Sequence, residues 1–151
     1  MSLNLVHNSP PQKELNEKLV KTLKKWQVVE DQSVKSTSEI MAKTKNPIVK
    51  HIMEIIKQDS AMHKRIQQLI IDSFEKQAIT LSPEELADVW EMVEKHIELE
   101  KETIRLAEES RKNSKNFVVR YLLNYLMTDE RKHNEILEQM EDVKSGIYPY
   151  A

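Results

Sequence analysis

The chain contains no cysteine. That absence excludes disulfides, thiolate zinc sites, iron–sulfur clusters and cysteine nucleophiles together, so any bound metal must be held by oxygen and nitrogen. Glycine is almost as scarce, with Gly146 alone among 151 residues beside five prolines. A sheet needs more turns than this, whereas abundant Glu, Lys, Leu, Ile and Met suit long helices. Long hydrophobic runs are also missing; IQQLII at 66–71 is too short and interrupted to cross a bilayer, and no charged-then-apolar leader is expected. Charge of one sign is not in excess, since 23 Lys plus Arg are interspersed with 25 Asp plus Glu. Without a basic stripe, nucleic acid is not an expected partner. The expectation is a soluble, cytoplasmic, all-α protein forming one domain over 1–151, with irregular tails at 1–10 and 145–151.

What is present is helical periodicity. Ser9, Pro10, Pro11 and Gln12 supply a helix start, and Leu15, Leu19, Leu23, Trp26, Val34 and Met41 form one stripe to about Lys43. Asn46-Pro47 ends that helix. A second carries Ile48, Ile52, Ile55, Ile56, Met62, Ile66, Ile70 and Phe74, and fades near Gln77. SPEE at 82–85 reads as a capped start with proline in the first turn. The third helix then follows Leu86, Val89, Trp90, Val93, Ile97, Ile104 and Ala107 to RKNSKN. The fourth runs from about Asn116 to Lys144, closed by Gly146 and Pro149. Four amphipathic helices with short connections bury their stripes against each other, which predicts an antiparallel four-helix bundle. Trp26, Trp90, Tyr121 and Tyr125 are read as core packing.

Sliding the sequence by 70 residues reveals a weak internal repeat. It aligns Glu30 with Glu100, Glu39 with Glu109, Asp59 with Asp129 and His63 with His133, together with the apolar pairs Val34–Ile104, Ile56–Leu126 and Ile66–Ile136. The aligned acids and imidazoles lie where each stripe should be apolar. Leu23 and Trp26 lead to Glu30 and then Val34; Val93 and Ile97 lead to Glu100 and then Ile104; Leu123 and Leu126 lead to Glu130 and His133 before Leu137 and Met140. On helix two, Asp59 falls near the centre of the apolar face with His63 one turn on. At about 1.5 Å per helical residue these groups share one level if both turns lie at the same end. Uncompensated buried carboxylates cost several kcal/mol each or take up protons, and no Lys or Arg lies in the stripes at that height. A divalent cation meets the demand, because carboxylate oxygens with neutral imidazole nitrogens suit iron, manganese or zinc.

On these residues the chain resembles the ferritin-like superfamily of di-iron and di-manganese carboxylate proteins, nearest to its rubrerythrin-type members. The resemblance covers about residues 12–144. Their pattern is Glu on helix one, Glu-x-x-His on helix two, Glu on helix three and Glu-x-x-His on helix four. Glu30, Glu100 and Glu130-Arg-Lys-His133 match the first, third and fourth. The resemblance implies two divalent ions, iron first, and an oxidoreductase acting on ferrous iron, oxygen or hydrogen peroxide. With no cysteine-bearing electron-transfer module, such a protein would need a separate electron donor.

Helix two departs from the pattern, since Ser60 stands where the carboxylate belongs and Asp59 precedes it. Two readings compete. The apolar phase points Asp59 inward as a sixth ligand beside Glu30, His63, Glu100, Glu130 and His133. The repeat instead equates it with Asp129, a residue placed to hold a histidine ring, and one metal position then lacks a carboxylate. His96, one turn before Glu100, is either a further ligand or an ordinary edge histidine; His7 and His51 read as solvated surface. The connection between helices two and three is also short for a ferritin-like crossover. Nine extended residues reach roughly 30 Å against about 42 Å for a 28-residue helix, which favours up-down-up-down topology. From a different functional class, the alternative is a metal-free or degenerate-site bundle. In it the polar residues set register, and a homodimer or the tail GIYPYA serves as an interaction surface.

Overall fold

The computed structural model describes residues 11–145, and within them the chain is helical without a strand. The elements are α1 (Gln12–Lys43), α2 (Pro47–Glu75), α3 (Pro83–Ala87), α4 (Trp90–Lys112) and α5 (Phe117–Lys144). The Ser9 start, His7, the Gly146–Pro149 stop and the GIYPYA tail lie outside the described residues. No helix among the described residues is long and apolar enough to cross a membrane. The chain divides into two compact units, Met1–Ile79 and Thr80–Ala151.

The first unit is a helical hairpin. Asn46 makes its turn, accepting from the Ile48 and Val49 amides at 2.9 and 3.2 Å, with Pro47 in the first turn where a missing N–H removes nothing. Val20 and Leu23 of α1 pack with Ile71 of α2, which is 1% exposed. Lys24–Glu75 at 2.8 Å and Lys64–Asp31 at 2.7 Å flank that seam in solvent, where such pairs contribute roughly 0–1 kcal/mol.

The second unit opens with the capping box anticipated at SPEE: Ser82 Oγ accepts from the Glu85 amide, and Glu85 accepts from the Ser82 amide. The third helix is not continuous as expected. α3 stops at Ala87, and Val89 adopts φ −114°, ψ 0° before α4 begins. Leu86 and Trp90 are both buried, and Val89 between them is exposed. Asn116 then caps α5 through the Val119 amide, and Arg120 donates to the Arg111 and Ser114 carbonyls, satisfying the C-terminal end of α4. Ile97, Ala107 and Met127 complete the buried apolar set of this unit.

Each hairpin also exposes apolar side chains. On α2 these include Ile56, Ile66, Ile70 and Phe74; on α5, Val119, Leu126 and Ile136. The apolar arc of each helix thus extends past its own hairpin seam.

Candidate metal centre

The centre lies in the second hairpin. α4 buries Ile97, Glu100 and Ala107 at spacings of three and seven, so the helix that packs Ile97 must also carry Glu100 into the seam with α5. Glu100 is 8% exposed. α5 brings Glu130 and His133 to meet it from one face, three residues apart. The potential ligand atoms of Glu100, Glu130 and His133 lie within 4.8 Å of one another, the one such group of three among the described residues. His133 Nδ1 is 3.5 Å from Glu100 Oε2 and 3.5 Å from Glu130 Oε2. Three donors, two oxygens and one nitrogen, therefore converge across two helices.

Further residues hold these donors in place. His96 Nε2 sits 3.0 Å from Glu100 Oε1, and Thr103 donates at 3.1 Å to Glu130 Oε2 and at 2.7 Å to the Glu100 carbonyl. Asp129 Oδ2 lies 3.5 Å from His133 Nε2, on the side of the ring away from the two glutamates. A carboxylate behind an imidazole fixes its orientation and makes its other nitrogen a better donor to a metal. Glu100 Oε2 is buried and makes no hydrogen bond.

The electrostatics carry the same tension. Glu100 is held below the ordinary carboxylate value, first by the Glu130 carboxyl acting as a proton donor toward it, against burial, with His133 and His96 assisting. Glu130 is pushed above that value, first by the same interaction with Glu100 and then by burial. Two carboxyls this close cannot both ionise without cost. A divalent ion fits the donor set: it would offset that cost and take up Glu100 Oε2, which makes no hydrogen bond.

The remaining predicted ligands, Glu30, Asp59 and His63, belong to the first hairpin. Glu30 is buried, with His63 Nδ1 at 3.4 Å and the Gln67 amide at 3.4 Å from its Oε1. Asp59 is exposed, and the residue buried in the seam with α1 is Ser60. Ile56, Ile66 and Ile70, which set the apolar phase of the sequence, mark the exposed face of α2 and not its seam with α1. Ser60 instead hydrogen-bonds Ser33 at 2.8 Å. His51 is exposed, 3.7 Å from Glu54. Sequence reasoning singled out neither Ser33, Thr103 nor Gln67. The 70-residue offset could have found the first two, because it superposes a serine on a threonine one turn after each inward glutamate. The chain matches no family model, no curated protein and no solved structure.

Proposed function

We propose that this protein binds a divalent transition-metal ion through Glu100, Glu130 and His133. The observation that supports the reading best is the buried Glu100 Oε2, which makes no hydrogen bond, facing a second carboxyl and an imidazole. Iron is the first choice, and manganese or zinc suits the same donors. Three protein ligands leave coordination positions for water or substrate, and iron or manganese so held supplies the redox chemistry of an oxidoreductase acting on ferrous iron, oxygen or peroxide. In that chemistry the chain's own contribution is local. Glu100 and Glu130 supply the negative charge, Thr103 and His96 orient them, and Asp129 orients the His133 ring. Electrons would come from a separate donor.

The proposal includes the antiparallel four-helix bundle. The apolar side chains exposed along α2 and α5 support it, because pairing the hairpins, within one chain or between two, would take that surface out of water. The same surfaces favour a second reading, a metal-free interaction bundle. Elemental analysis of the purified protein separates the two. About one equivalent of iron or manganese, absent from Glu130→Ala, supports the metal reading. A metal-free protein whose melting temperature is unmoved by ferrous, manganous or zinc ion supports the interaction bundle.

A further inference from the structure

The two hairpins place equivalent residues in equivalent geometry. In the second, Glu100 faces His133 at 3.5 Å, and Thr103, one turn on, bonds Glu130 at 3.1 Å across the seam. In the first, Glu30 faces His63 at 3.4 Å, and Ser33, one turn on, bonds Ser60 at 2.8 Å. Both cross-seam bonds join residues 27 apart in sequence. The hairpins are thus structural copies at this level, register included, and they differ in how the inward glutamate is compensated.

In the first hairpin the second carboxylate is replaced by a hydroxyl, and the Ser33–Ser60 pair is complete in itself. Glu30 accepts from the Gln67 amide as well as facing His63; the residue at the corresponding place in the second hairpin is Leu137, which can donate nothing. The acceptor left over in the first hairpin is Gln67 Oε1, a neutral amide oxygen. In the second they are Glu100 Oε2, part of a carboxylate, and Asn134 Oδ1. The first cluster gathers one carboxylate and the second gathers two.

We propose that the first hairpin is a copy of the ion-binding hairpin closed to metal by Ser60 and Gln67, so that the protein takes up one ion and not two, with residue 60 setting that number. The inference rests on the metal reading of Glu100, Glu130 and His133. It makes Glu30, buried, and His63, exposed, a self-sufficient pair and leaves Asp59 outside any ion's coordination.

The test is calorimetric and spectroscopic titration of the metal-stripped full chain with cobalt(II), whose visible absorption reports nitrogen and oxygen ligands. Wild type should bind one equivalent. Ser60→Glu combined with Gln67→Leu, which copies the second hairpin's pair into the first, should bind two; adding His63→Ala should remove the second equivalent and leave the first. Glu130→Ser, which copies the hydroxyl pair the other way, should bind none while keeping its circular-dichroism spectrum. Two equivalents in wild type, one of them lost in Asp59→Asn, would overturn the inference. So would a folded double variant that stays at one, an outcome that leaves the metal reading standing. No uptake by wild type instead removes that reading and the inference with it.

Discussion

Glu130→Gln should act in opposite directions on stability and on metal binding. The potential ligand oxygens of Glu100 and Glu130 lie within 4.8 Å of one another. Two full charges at that separation repel by about 3 kcal/mol at an effective dielectric of 20 and by about 1 kcal/mol in water. Glu130 is partly exposed, its side chain retaining 25% of its accessibility, which places the real figure between those bounds. An amide removes the repulsion, keeps an acceptor for Thr103, and offers Glu100 an N–H. The metal-stripped variant at neutral pH should therefore be more stable than wild type by about 1–3 kcal/mol. Urea denaturation followed by circular dichroism measures this as a higher midpoint at unchanged slope. Metal should reverse the order. At 100 times its dissociation constant an ion stabilises wild type by about 2.7 kcal/mol, and the variant, lacking a charged ligand, should gain none. A metal-stripped Glu130→Gln less stable than wild type would refute the reasoning, because it would mean that the Glu130 carboxylate is held by favourable contacts and not compressed against Glu100.

Metal affinity should also depend on pH with a defined sign. Glu130 is raised above the ordinary value of 4.5, so a proton competes with the ion to higher pH than at an unperturbed glutamate. Affinity should climb as pH rises through that raised value, and binding below it should release protons, measurable by calorimetry in buffers of different ionisation enthalpy. In the first hairpin, Ile71→Ala should destabilise by about 2–5 kcal/mol, since Ile71 is the most deeply buried side chain of a small seam, and the urea midpoint reads it. Asp59→Asn should leave both the urea midpoint and cobalt(II) uptake unchanged, because its side chain is exposed; a drop in uptake would return Asp59 to the ligand set.

The helices and their caps were legible because their signals are local. Asn46-Pro47, SPEE and the Asn116 start each act through bonds within a few residues, and the structure has a cap at each. The interruption after Ala87 had no such signal. No proline or glycine stands near Asp88-Val89, and burial of Leu86 and Trp90, which a continuous helix also sets on one face, does not account for the break.

The inward reading of Asp59 has a different origin, and it shows which kind of sequence signal carries the candidate site. A helix that meets one neighbour in its hairpin and exposes a second apolar surface has an apolar arc wider than one seam, so periodicity returns the centre of the arc and not the direction of either face. On α2 that centre falls at Ile56, Asp59, His63, Ile66 and Ile70, whereas the seam with α1 runs through Ser60, Gln67 and Ile71. The 70-residue repeat compares like with like at each position and does not depend on where the arc is centred. It sets Ser60 against Glu130 and Ser33 against Thr103, so that the bonded pair Ser33–Ser60 of one seam corresponds to the bonded pair Thr103–Glu130 of the other, and it sets Asp59 against Asp129, which stands behind a histidine. Where a hairpin is built twice in one chain, the position at which the copies disagree in chemistry, residue 60 against residue 130, says more about the site than the phase of either helix.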